Sequence, residues 1–135
     1  MPSQMKLTAI TLDCADPEAL AEFYRQATGL GLHPRSDGDF AGLTRADGLF
    51  IGFQRVDDYQ PPRWPEQSVP QQIHLDFAVE NLGEAEALLL ELGATKPEQQ
   101  PGADKWRVLI DPAGHPFCLT EDRVRGATSR ADLAG

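Results

Sequence analysis

Apolar positions in the first half of the chain follow a strand period and then a helical one. Residues 7–14 (LTAITLDC) alternate, which predicts a strand with one packed face. Asp16 before Pro17 is a typical helix start, and apolar residues then recur at helical spacing until Gly29 ends the helix. Two more strands are predicted at 40–44 and 49–55, around a turn at Asp47 and Gly48.

The same order of elements recurs after a proline-rich stretch. Four prolines between residues 56 and 71 are incompatible with a central strand or helix, so this stretch is predicted to be a connector. Beyond it we predict a strand at 72–79, a helix from Leu82 to Leu92 that ends at Gly93, and strands at 106–110 and 116–120 around a turn at 111–114.

Superposing the two halves indicates an internal repeat. A shift of 65 residues places Leu12 on Phe77, and a shift of 66 places the turn glycine Gly48 on Gly114. We therefore predict one domain over residues 5–122, made of module 1 (5–57), a connector (58–71) and module 2 (72–122), followed by a mobile tail at 123–135.

Composition narrows the function classes. The chain has 135 residues, with 12 Lys and Arg against 21 Asp and Glu, so its net charge is −9 and neither nucleic acid nor an anionic membrane surface is an expected partner. No apolar stretch approaches the roughly 18 residues of a membrane span, and the start resembles no secretory signal, so a cytoplasmic location is expected. Cys14 and Cys118 make no disulfide framework.

Two segments of the second half carry a family resemblance. HLDFAVEN opens that half and DPAGHPFCL closes it, and with TLDCADPEALAEFY in the first half they resemble the vicinal oxygen chelate superfamily. This superfamily includes glyoxalase I, bleomycin-resistance proteins and type I extradiol dioxygenases. The resemblance implies an α+β fold of two tandem βαβββ modules whose curled mixed sheets surround a ligand cavity, and it implies a homodimer.

Strand alternation divides the residues of such modules between core and cavity. One parity is expected to pack under the helices: Ile10, Leu12, Cys14, Ile51, Phe53, Ile73, Leu75, Phe77, Val79, Phe117 and Leu119. The other parity is expected to face the ligand: Thr11, Asp13, Phe50, Gln54, His74, Asp76, Cys118 and Thr120. Trp64 in the connector is expected to cover the cavity or meet a partner subunit, whereas Phe40 and Trp106 are interpreted as core or sheet-edge residues.

The resemblance also implies four metal-ligand positions, two in each module. Here they match Ala9, Gly52, His74 and Cys118, of which only His74 has the usual ligand type. A His/Cys pair helped by Asp13 or Asp76 would suit zinc, but two donors rarely retain a metal and a soft thiolate suits iron chemistry poorly. No metal cofactor is therefore favoured, and His74 is the ligand if one binds.

Two chemical roles remain open for His74, and two for Cys118. His74 beside Asp76 is either an acid/base for proton transfer next to a carbonyl or a hydrogen-bonded residue that orients a ligand. Cys118 is either a nucleophile paired with His74 or a buried thiol that fills space.

Three functions follow from these alternatives. The leading one is binding of a small, partly aromatic or polar organic molecule, as a resistance-type binder or as a metal-independent enzyme that uses His74. The second is a metal-dependent lyase, isomerase or dioxygenase with His74 as a ligand. The third is a structural or regulatory dimer whose cavity has closed.

Overall fold

The computed structural model describes residues 5–121. The chain divides into two compact units, Met1–Tyr59 and Gln60–Gly135, and the division falls inside the predicted connector. The predicted mobile tail, 123–135, lies outside the described residues. No helix within 5–121 has the length and apolar character needed to cross a membrane.

Over residues 5–59, the first unit consists of a mixed four-stranded sheet and one helix. Its elements are β1 (Ala9–Cys14), α1 (Pro17–Thr28), β2 (Gly31–Leu32), β3 (Phe40–Thr44) and β4 (Phe50–Arg55). The strand order is β1-β4-β3-β2, in which β1 runs parallel to β4 and the other pairs are antiparallel. The Asp16 side chain accepts a hydrogen bond from the Ala19 N–H, and Gly29 ends the helix in the left-handed conformation. These helix ends are as predicted.

The described part of the second unit, residues 60–121, has the same plan with one strand fewer. Its elements are β5 (Leu75–Val79), α2 (Leu82–Leu92), β6 (Trp106–Ile110) and β7 (Pro116–Glu121), in the strand order β5-β7-β6. Asn81 caps the start of α2 and Gly93 its end, as Asp16 and Gly29 do for α1. The predicted βαβββ order is therefore incomplete here, because the place of β2 is taken by an isolated bridge between Thr95 and Ile110.

β5 begins at Leu75, three residues later than predicted, and its pairing with β7 explains why. Leu75 pairs with Phe117 on β7, so the preceding residue, His74, would pair with Pro116. Proline has no N–H to donate, and the ladder begins one residue later. The strand predicted at 72–79 is therefore shorter and spans Leu75–Val79. We expected Ile73 to be buried under α2, and this prediction was wrong because Ile73 is 49% exposed.

Strand registers agree with the sequence repeat. Ile10 pairs with Ile51 in the first unit, and the residues 65 and 66 positions later, Leu75 and Phe117, pair in the second. The turn glycines Gly48 and Gly114 also match, with φ values of 95° and 93°. This agreement in register supports a duplication, and the two mixed sheets confirm the predicted α+β class.

Each helix covers one face of its own sheet. In the first unit α1 packs on β3 and β4, where the Tyr24 ring lies parallel to Phe53 with centroids 5.6 Å apart. In the second, α2 packs on β6 and β7 above the buried Phe117 and Leu119. Of the residues expected in the core, Ile73 is exposed, five are half-buried, and five are buried: Leu12, Cys14, Phe53, Phe117 and Leu119. The opposite face of each sheet carries the residues that we assigned to the ligand.

Candidate functional site

Three side chains that can bind a metal ion or exchange a proton come together on the second unit. Asp76 lies on β5 directly opposite Cys118 on β7, and His74 lies two residues before Asp76, immediately outside the strand. His74 Nε2 is 3.4 Å from Asp76 Oδ1. One donor atom of each residue lies within 4.8 Å of the other two. The structure thus brings together three of the predicted site residues.

The three side chains differ sharply in exposure. The side chains of His74 and Asp76 are 40% and 54% exposed, whereas Cys118 is 8% exposed. Burial, with the negative charge of Asp76 and a hydrogen bond to it, raises the pKa of the Cys118 thiol to about 12. Cys118 is therefore a protonated thiol at neutral pH. This disfavours its interpretation as a nucleophile paired with His74.

The Gln100 side chain holds the outer edge of β6, the strand that pairs with β7. Val108 pairs with Cys118, and the Gln100 amide donates to the Val108 carbonyl (2.9 Å) and accepts from the Val108 N–H (3.0 Å). Thr120, another predicted ligand residue, is half-buried and pairs with Trp106. No sequence pattern indicated Gln100, because its loop position acquires meaning only once β6 lies beside it.

The first unit offers a different surface at the corresponding positions. Ala9 and Gly52, the two family ligand positions of this unit, have no donor side chains. In the β1–β4 ladder Ala9 pairs with Phe50, and Gly52 pairs with Thr11. A Cβ at Gly52 would lie 2.7 Å from Phe40 Cζ and 3.1 Å from Thr11 Oγ1. A donor side chain at Gly52 would therefore require the rings beside it to move. The donor set that the family draws from both modules does not fit this chain.

Aromatic rings occupy the space that such ligands would take. Phe40 and Phe50 are parallel, with centroids 5.9 Å apart, and His33 meets Phe50 edge-on at 5.6 Å. The end of the Phe50 ring fills the space above Gly42. Phe40, which we interpreted as a core or sheet-edge residue, is 38% exposed at the start of β3 and therefore does not lie in the core. Side chains alternate along β3, so Phe40 points to the same face as Gly42, and the β3–β4 pairing puts Phe50 on that face as well. Strand alternation could therefore have placed Phe40 on this face.

The remaining predicted ligand residues are accessible on their own units. Thr11, Asp13 and Gln54 are exposed on the first unit, and Asp13 and Gln54 are register partners. Trp64 is half-buried in the connector and precedes Pro65 through a cis peptide bond. The binding roles of these four residues stay predictions.

Several solved structures have the same architecture as this chain. The chain matches a possible glyoxalase from Bacillus cereus with a TM-score of 0.63 and 21% identity, covering 86% of this chain and 98% of the other. It matches a glyoxalase/bleomycin resistance protein/dioxygenase family enzyme from Burkholderia phytofirmans PsJN with a TM-score of 0.63 and 19% identity, covering 87% and 98%. It also matches a bleomycin-binding protein from Streptomyces verticillus with a TM-score of 0.55 and 17% identity, covering 90% and 100%. At such identities these likenesses establish the fold.

Residues 9–120 match the model of the glyoxalase-like domain, and the chain belongs to this family. The superfamily resemblance seen in the sequence is thereby confirmed. Among curated proteins, none matches the chain.

Proposed function

We propose that this protein binds a small, partly aromatic or polar organic molecule on the sheet faces that its helices leave open. The observation that carries the proposal is the consistent division of each sheet, with a buried apolar face under the helix and polar or aromatic side chains on the other. Thr11, Asp13 and Gln54 are exposed on the first unit, as are His74 and Asp76 on the second. Few polar groups beside apolar rings are typical of organic ligand sites.

Binding without a reaction is one form of this proposal. It is supported by the lack of donor side chains at Ala9 and Gly52, since that lack removes half of the family's metal-ligand positions. It is supported too by the fold shared with a bleomycin-binding protein. In this form His74 and Asp76 orient the ligand through hydrogen bonds. A homodimer and a cytoplasmic location belong to the same proposal.

Proton transfer by His74 is the other form. An imidazole nitrogen takes a proton from a carbon next to a carbonyl, and the same nitrogen returns it to another atom of the substrate. Asp76, with Oδ1 at 3.4 Å from His74 Nε2, orients the imidazole ring towards the substrate. This form predicts that solvent deuterium enters the substrate, and that His74→Ala abolishes the exchange while Glu22→Ala on the outer face of α1 preserves it.

A thermal-shift screen of chelator-treated protein against metabolites and antibiotics tests the binding proposal. A ligand at about 100 times its Kd stabilises the folded state by roughly 2.7 kcal/mol. His74→Ala and Asp76→Asn should reduce the shift given by a hit, whereas Glu22→Ala should preserve it. A hit that is insensitive to every substitution on the two open faces, or no hit across a broad panel, contradicts the proposal and favours a structural dimer.

A second candidate function is a metal-dependent lyase, isomerase or dioxygenase with His74 as a ligand. The specific observation in its favour is the cluster of His74, Asp76 and Cys118. Metal analysis of protein purified without an affinity tag tests it. A stoichiometric metal lost in His74→Ala, together with turnover only in the metal-loaded protein, would replace the leading proposal.

A further inference from the structure

Among residues 5–121, three donors of different chemical type come together only within the second unit, and the family arrangement of two donors from each module does not occur. The nitrogen of His74, the oxygen of Asp76 and the sulfur of Cys118 lie within 4.8 Å of one another. Asp76 has no counterpart among the four family ligand positions and pairs directly with Cys118 across the parallel β5–β7 ladder. The third donor, which the sequence left open between Asp13 and Asp76, is thus identified by strand register.

We infer that His74, Asp76 and Cys118 form a zinc-class metal site confined to the second module, in which Asp76 takes the place of the ligands missing from the first. The inference assigns to a metal two side chains, His74 and Asp76, that the proposed function assigns to a small molecule, and it needs no bound molecule to be tested.

The donor geometry needs only a small contraction. Around a tetrahedral zinc ion, bond lengths of about 2.0 Å to nitrogen or oxygen and 2.3 Å to sulfur put the ligand atoms about 3.3–3.6 Å apart. His74 Nε2 and Asp76 Oδ1 already lie 3.4 Å apart. Cys118 is held inside the sheet, while the exposed side chains of His74 and Asp76 can rotate towards it. His74 also lies outside the β5 ladder, so its backbone is less constrained.

The charges and ligand softness select the class of ion. A thiolate and a carboxylate balance a divalent cation, and the neutral imidazole adds no charge. Thiolate ligands favour zinc and similar soft or borderline ions over the hard cations bound by oxygen alone. Three protein donors leave a tetrahedral position for water or for a donor atom of a small molecule.

The metal would displace a proton from Cys118. Zinc binds the thiolate form of cysteine, so the ion and the thiol proton compete for the sulfur. Zinc binding should therefore release about one proton per chain, and affinity should rise with pH.

Cobalt(II) titration of the chelator-treated full chain tests the inference, because thiolate-bound cobalt gives a near-ultraviolet charge-transfer band. We expect saturation at one cobalt per chain, displacement by zinc, and proton release in weakly buffered solution. Asp76→Asn and His74→Ala should each weaken cobalt binding at least about tenfold. Cys118→Ser should remove the charge-transfer band and the proton release.

Two matched variants serve as controls. Cys14→Ser changes the other buried thiol, whose sulfur donates to the Gln54 carbonyl, and it should leave the band unchanged. Asp13→Asn changes a carboxylate on the first unit and should leave the affinity unchanged. Circular dichroism and thermal unfolding of each variant verify that it is folded.

Three results would overturn the inference: no charge-transfer band at stoichiometric cobalt, loss of the band in Cys14→Ser, or equal weakening by Asp13→Asn and Asp76→Asn. Ligand binding that persists in chelator-treated protein would still support the proposed function, so the two proposals fail separately.

Discussion

At the scale of single residues, glycines decide what the first unit can offer a ligand. Gly42 and Gly52 are both buried, and the space above them holds the rings of Phe50 and Phe40. Phe50 is confined further by the edge of His33. Small residues on one strand thus allow large rings on the next to lie across the sheet, where the family would place a metal ligand.

Gly42→Ala should destabilise the fold by roughly 0.5–1.5 kcal/mol, because its methyl group would overlap the far end of the half-buried Phe50 ring and push that side chain off its preferred rotamer. Gly31→Ala is the matched control, since a Cβ at Gly31 meets no atom within 4 Å and the change should stay within about 0.5 kcal/mol. Urea unfolding of both variants measures the difference. Equal free energies of unfolding would show that Phe50 moves aside freely.

Cys118 predicts how stability responds to alkaline pH. The thiol pKa is 9.0 in the unfolded reference and about 12 in the folded chain, so from about pH 9 upward the unfolded state releases a proton that the folded state retains. The stabilisation is complete below pH 9 and is lost as the pH rises towards 12. Unfolding free energies of the parent and Cys118→Ala, measured from neutral pH upward, should converge or cross. A constant difference would contradict the raised pKa.

At the scale of elements, the turn between β6 and β7 sets the register that places Cys118. Asp111 is 3% exposed, and its Oδ1 accepts hydrogen bonds from the N–H groups of Ala113 and His115, each at 2.9 Å. Gly114 supplies the positive φ that closes the turn. The pairing of Cys118 with Val108 follows from this turn.

Removing the Asp111 carboxylate should loosen that hairpin. Asp111→Ala leaves two backbone donors without their acceptor, and we expect a loss of about 1–3 kcal/mol. Asp111→Asn keeps an oxygen at the same place and should retain most of the stability. Thermal unfolding compares the two. A loss as large in Asp111→Asn as in Asp111→Ala would show that charge, not the acceptor position, matters.

At the scale of the whole molecule, association between copies is the untested expectation. The family resemblance implies a homodimer, and large apolar side chains including Ile73, Leu88 and Leu90 are exposed on the second unit. Burial in an interface would reduce this exposure. Light scattering should therefore report a mass near twice 14.8 kDa. A monomer mass at every concentration would refute the dimer.

The local order of this chain was readable from its sequence, because short-range chemistry controls it. The caps Asp16 and Asn81, the stops Gly29 and Gly93, and the turn glycines Gly48 and Gly114 act within a few residues of themselves. Strand alternation likewise placed Leu12, Phe53 and Phe117 in the core. These signals, with the repeat, determined the fold class and the family.

Contacts between distant residues were decided only by tertiary structure. Strand alternation in the sequence assigned both Asp76 and Cys118 to the ligand-facing side of a sheet. That they lie opposite each other depends on the parallel pairing of β5 with β7. The same ladder begins at Leu75 and Phe117, one residue after Pro116, and leaves His74 and Ile73 outside the strand. The exposed Phe40 ring lies against Phe50 on β4. Periodicity determines the face of a side chain, whereas the register and packing of remote strands determine its neighbours.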